Sequence, residues 1–147
     1  MIEVRDVTKR YGDTVAVDGL SFTVRSGRVT GFLGPNGSGK STTMRLIMGL
    51  DAPDAGEVNV NGRPYRDLEW PLREVGALLE AKAIHPGRSA YNHLLELAQT
   101  NDISKKRIED VLGMVGLMTV ARKRAGAFSL GMGQRLGIAA ALLGDPR

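Results

Sequence analysis

The residues Gly34-Pro35-Asn36-Gly37-Ser38-Gly39-Lys40-Ser41 carry the most specific chemistry in this sequence. They satisfy the pattern G-x-x-x-x-G-K-[S/T] at every fixed position, and each residue type there has a physical reason. A loop that wraps a polyphosphate must turn its backbone N–H groups inward at close range, and glycines permit an approach that a Cβ would block. Lys40 supplies a flexible point charge for the outer phosphates. Ser41 offers a hydroxyl ligand to Mg²⁺, and Thr42 a second hydroxyl for an inner phosphate. A helix starting at Lys40 would add its partly positive N-terminus. The stretch from Gly34 to Thr42 therefore predicts a nucleotide-phosphate site, with ATP and Mg²⁺ as the ligands and Ser41 as a metal contact.

Such a loop works only between a strand and a helix, and the flanking sequence has that form. Val29-Thr30-Gly31-Phe32-Leu33 is nearly all apolar, the pattern of a strand buried on both faces. A helix is expected from about Lys40 to Leu50, with Met44, Ile47 and Met48 turned inward. Upstream, Ile2 and Val4, then Leu20, Phe22 and Val24, alternate with polar neighbours as strands do. Gly12-Asp13 and Ser26-Gly27 supply the turns. After a loop from Asp51 to Gly56, Val58 and Val60 alternate up to an Asn61-Gly62 turn. Val75 to Leu79 reads as a short strand, and helices dominate beyond it. Ser104 is a candidate N-cap for a helix with Ile108, Val111, Leu112 and Val115 on one face, closed by Gly116. Leu136, Ala139, Ala140 and Leu143 mark another, stopped by Gly144 and Pro146. The order predicts an α/β domain with a helical insertion.

Composition narrows the partners. The 147 residues are 42% hydrophobic and 24% charged, ordinary globular usage with room for a real core. There is no cysteine, which removes disulfides, thiolate zinc sites and thiol catalysis. The start, from Met1 to Asp6, does not suit a signal peptide, and the longest apolar run, 138–143, is too short to cross a bilayer. The net charge of +4 is scattered, with clusters only at 105–107 and 122–124 and seven aromatic residues in all, so no nucleic-acid partner is expected. His85 and His93 have no second ligand at useful spacing, so incidental or structural roles are expected for both.

Beyond the loop, Phe128-Ser129-Leu130-Gly131-Met132-Gly133-Gln134-Arg135-Leu136 resembles the signature motif of ATP-binding cassette (ABC) proteins. Tyr11, in Lys9-Arg10-Tyr11-Gly12, matches the aromatic position that stacks on adenine in that family. The segment from Ile2 to Tyr11 looks like the family's first strand. The resemblance runs over the whole chain and is to the ATPase subunit of drug and antibiotic exporters of the bacitracin- and daunorubicin-resistance type. It implies a P-loop NTPase fold of the α/β class: a β-rich N-terminal part, a P-loop core and a helical insertion. The implied divisions are about 1–80, 81–130 and 131–147. Tyr11 would stack on adenine, a contact of ~1–3 kcal/mol by analogy with base–aromatic stacking. Ser129, Leu130, Gly131 and Met132 would face ATP held by a second ABC ATPase subunit in a head-to-tail dimer; Ser129 or Gly131 could also simply start the helix carrying Leu136, a role compatible with the first. A separate membrane permease would hold the protein at the inner face of the cell membrane.

Two departures refine the match. Leu130 and Met132 stand where the usual signature has its first glycine and its glutamine, and Glu80 stands where a glutamine is expected. A carboxylate at Glu80 can still ligate Mg²⁺ or orient a water, but an exposed glutamate at a helix entry is a live alternative. The family pattern continues after Asp145-Pro146 with an apolar strand ending in an aspartate, a catalytic glutamate and a histidine, whereas this sequence stops at Arg147. The expectation is an N-terminal part of an ABC ATPase domain that binds nucleotide without its hydrolytic residues, no catalytic residue being assigned. In it, 29–33 and 75–79 should be strands left without a partner. Two other readings stay open at this point: a soluble ABC ATPase of translation or DNA repair, and a non-catalytic nucleotide-binding fragment.

Overall fold

The alternation read at the N-terminus forms a meander. Strands β1 (Ile2–Tyr11), β2 (Thr14–Val24) and β3 (Ala55–Val60) make an antiparallel sheet in the order β2-β1-β3. The computed structural model describes residues 1–79 and 84–146, which fall into two compact units, Met1–Glu69 and Trp70–Arg147. Gly12-Asp13 turns β1 into β2, with Tyr11 opposite Thr14. Asn61 and Gly62 close β3 with φ of 51° and 82°, the left-handed pair that a tight hairpin turn requires. The first unit buries Val4, Val7, Val17 and Val60 of the sheet with Leu46 and Ile47 of helix α1 (Lys40–Ile47).

Two expectations fail in this unit. Met44 is exposed, and the buried face of α1 is Thr43, Leu46 and Ile47. Thr43 fits because its hydroxyl donates back to the Gly39 carbonyl at 2.9 Å, which satisfies the polar group inside the contact. The run 29–33, expected as a strand without a partner, indeed joins no ladder but is not assigned as a strand: Val29 and Leu33 are 105% and 92% exposed, and among the described residues only Phe32 finds company, stacked on Phe22 with ring centroids 5.3 Å apart. A buried-strand composition produces a strand only when a neighbour takes up its N–H and C=O groups, and this run has no place in the three-stranded sheet.

The second unit is helical. It contains α2 (Pro71–Glu74), α3 (Ala90–Thr100), α4 (Lys105–Met114) and α5 (Leu130–Leu142). Segment 75–79, expected as a strand without a partner, joins no ladder among the described residues, although Val75 is extended at φ -140° and ψ 125°. Leu94, Ala98, Ile108, Val111, Leu112, Leu136 and Ala139 come from three helices at turn spacing and, with Leu143 just after α5, bury one another. Ser104 caps α4 by backbone geometry without a side-chain hydrogen bond, and Gly116 ends the turn after it at φ 68°. At the opposite end of α5, Arg107 donates to the Leu142 carbonyl at 2.9 Å and to that of Leu143 at 3.3 Å. A cation at a helix C-terminus satisfies carbonyls that have no intrahelical partner. Among the described residues, no helix is long and apolar enough to cross a membrane.

Candidate functional site

Helix α1 begins without a capping side chain. Its N-cap, Gly39, sits at φ 82°, and the amides of Lys40, Ser41 and Thr42 precede the first helical hydrogen bond, from Thr43 N–H to the Gly39 carbonyl at 2.8 Å. A helix end left in this state offers donors to an anion. Gly39 is required on two counts: its φ is left-handed, and a Cβ would lie 2.3 Å from the Ala16 carbonyl oxygen of β2. The loop is thereby pressed against the sheet with its amides at the helix mouth.

Lys40 points back into this loop. Its ammonium donates to the carbonyls of Gly34 at 2.7 Å and Pro35 at 2.6 Å, and reaches the Ser38 hydroxyl at 3.5 Å. The charge is thus held in the concavity by the loop's own oxygens, at the mouth of the uncapped helix. Beside the loop runs a cleft of about 480 Å³, walled by Val15 to Asp18 and Leu20 of β2 and by Phe32 to Pro35, Gly37, Ser38 and Lys40. Uncapped amides, a fixed cation and a glycine that tolerates no side chain suit a polyphosphate. Ser41 stands in the first turn of α1, exposed, where its hydroxyl is free to meet a metal carried by those phosphates.

Tyr11, at the end of β1, is 47% exposed. Its hydroxyl donates to Asp51 Oδ2 at 2.7 Å, and the same carboxylate receives Arg45 Nε at 2.7 Å and Arg45 Nη2 at 3.0 Å. Two-pronged recognition by guanidinium and the tyrosine bond hold the Asp51 carboxyl well below the usual carboxylate range, while the bond to Asp51 raises the Tyr11 phenol. Three residues on, Asp54 accepts from Arg10 N–H at 2.6 Å and Lys9 Nζ at 3.3 Å, contacts that also lower its carboxyl. The loop after α1 therefore clasps the end of β1. Neither Asp51, Asp54 nor Arg45 is singled out by motif. Each meets its role through contacts between distant segments, Tyr11 and Asp51 being 40 positions apart.

In the second unit, Ser129 is the N-cap of α5, its hydroxyl accepting from Met132 N–H at 3.3 Å. Leu130, Gly131 and Met132 form the first turn, with Leu130 and Gly131 exposed. Glu80 lies outside the described residues. His85 accepts from Gly87 N–H within a turn at 3.2 Å. His93 sits half-buried on α3 with Nδ1 unpartnered, and burial, with Arg88 nearby, lowers its pKa.

Comparison with known proteins bears on the family and the fold. Residues 17–147 match the family model described as ABC transporter. The bacitracin transport ATP-binding protein BcrA of Bacillus licheniformis is 41% identical over 148 residues, covering 99% of this chain and 48% of the relative. The spermidine/putrescine import ATP-binding protein PotA of Pseudomonas aeruginosa is 34% identical over 151 residues, covering 100% of this chain and 42% of its own length. The chain thus spans about half the length of the curated relatives it matches. Two solved dimeric structures of the bacterial ABC transporter cassette MJ0796, one in a post-hydrolysis state bound to ADP and Pi, superpose with TM-scores of 0.88 and 0.87. Their identities are 27% and 26%, and each alignment covers 99% of this chain and 71% of the cassette.

Proposed function

The chain belongs to the ABC transporter family of ATP-binding cassettes, and from that premise we propose that it binds MgATP as part of the ATPase subunit of an antibiotic or drug exporter. The observation that carries the binding site is the loop at 34–42, with the Lys40 ammonium at the uncapped mouth of α1. On this reading the loop amides and Lys40 hold the phosphates, Ser41 ligates Mg²⁺, Thr42 meets an inner phosphate, and Tyr11 stacks on adenine. Mg²⁺ held through Ser41 would supply the charge neutralisation that favours phosphoryl transfer.

The antibiotic part of this reading is supported by the 41% identity to a bacitracin transport ATP-binding protein, and its direction, export, by the resemblance carried in the sequence. The resemblance implies the same, since the signature change at Leu130 and Met132 is typical of this exporter branch. Ser129 to Met132 are assigned to ATP held by a second subunit across a head-to-tail dimer, a reading supported by the dimeric state of the structurally similar cassette. Capping α5 and meeting a phosphate are compatible for Ser129, because a hydroxyl accepts and donates at once. A separate permease would bring the subunit to the inner face of the membrane. The role proposed for these 147 residues is to bind the nucleotide.

Lys40→Ala tests the assignment. Loss of a charge-assisted contact worth about 1.5–3 kcal/mol predicts roughly 10- to 150-fold weaker ATP binding. Titration with a fluorescent ATP analogue, with circular dichroism confirming the fold, measures it. Equal affinity in wild type and variant would remove Lys40 from the site.

A further inference from the structure

Tyr11, Asp51 and Arg45 form a chain of hydrogen bonds that ties the end of β1 to the last turn of α1. The phenol donates to Asp51 at 2.7 Å, and Arg45 grips both carboxylate oxygens at 2.7 and 3.0 Å. All three groups are partly open to solvent, and none contributes to the buried core of the unit. Such a chain contributes little to stability, because exposed ion pairs are typically worth between 0 and about 1 kcal/mol. It does constrain geometry. A tyrosine at a strand end swings about χ1 and χ2, and stacking on a planar ligand requires the ring to be held in one plane. The Lys9 ammonium stands 5.5 Å from the ring centroid and is itself tied to Asp54, so a cation already attends the ring. The bond from the phenol fixes where the ring tip points and so sets χ1, and the preference of a phenolic O–H for the ring plane biases χ2 toward the plane that aims the hydrogen at Asp51. α1 is also the helix that carries the phosphate loop, so the chain sets the ring relative to the phosphate site.

We propose that Asp51, locked by Arg45, is a positioning residue that holds the Tyr11 ring in register with the phosphate loop and so sets the nucleobase-dependent part of ATP affinity. This rests on the reading of Tyr11 as the base platform. Asp51 touches neither base nor phosphate; it acts through the phenol. Its removal therefore weakens ligands that have a base and spares those that are phosphate alone.

The test compares ATP with inorganic tripolyphosphate, both with Mg²⁺, by calorimetry on the full chain. The ratio of the two affinities isolates the base. Tyr11→Ala removes the platform and lowers the ratio. Tyr11→Phe keeps the ring and deletes only an exposed hydroxyl, so its fold is not at risk. It and Asp51→Ala are each expected to lower the ratio about three- to tenfold, the scale of one net hydrogen bond, with no further loss when combined. Asp51→Asn, which keeps an acceptor for the phenol, should recover part of it. If Tyr11→Ala lowers the ratio while Tyr11→Phe and Asp51→Ala leave it unchanged, the positioning role is overturned and the base platform stands. An unchanged ratio in Tyr11→Ala overturns both. Equal loss of ATP and tripolyphosphate binding in Asp51→Ala would reduce the chain to a fastening of the fold and overturn the proposal.

Discussion

Among the described residues, Met1–Glu69 buries six apolar side chains, whereas Trp70–Arg147 buries eleven in one continuous cluster. The first unit keeps its distinctive residues at the surface: Tyr11 and the loop from Gly34 to Ser38 are exposed. They are held by directed bonds, from Lys40 to carbonyls, from Tyr11 and Arg45 to Asp51, and from Lys9 and Arg10 to Asp54. In the second unit, helices at turn spacing interlock, and polar contacts such as Arg88 with Glu96 lie at the margin. The contrast separates two tasks. Apolar burial scales with area and is indifferent to direction, so it stabilises without orienting. A ligand site needs the reverse, groups left open but aimed, and it leaves less surface for a core.

A cavity in the helical unit is the largest perturbation that tests this contrast. Leu112, fully buried, belongs to the cluster, and Leu112→Ala should cost about 2–5 kcal/mol in urea unfolding. A cost below 1 kcal/mol would show that the cluster is not the source of stability in its unit.

A smaller effect follows from His93 in the same unit. Burial lowers its pKa below the ordinary 6.5, so the unfolded chain binds the proton more readily than the folded one. Stability is therefore full above about pH 6.5 and is lost as pH falls from that value toward the lower folded pKa. Thermal melts between pH 5 and 8 measure it, and His93→Asn should flatten the profile. An unchanged slope would place the pH response elsewhere.

The smallest effect sharpens the comparison from the other side. Val29 is wholly exposed although its sequence surroundings are those of a buried strand. Val29→Ser is accordingly expected to stay within about 0.5 kcal/mol of wild type. A large loss in a melt would show that the segment is covered in solution.

These elements also show where local pattern suffices. The helix start at Lys40 after a glycine-rich loop, the alternation in β1 and β2, the Asn61-Gly62 turn, the face of α4 and the stop after α5 were all legible in sequence. Each depends on residues within a few positions of one another, where backbone sterics and side-chain period act directly. Tertiary structure decided the rest. That α1 buries Thr43 and turns Met44 outward depends on which face meets the sheet. That 29–33 and 75–79 carry strand composition without strand structure follows because a strand exists only in a ladder, and no pattern internal to the segment supplies the neighbour. The chain from Tyr11 through Asp51 to Arg45 joins positions 40 and 6 apart. Nothing local distinguishes that aspartate from any other loop aspartate. Only the folded backbone brings its carboxylate within hydrogen-bond reach of both.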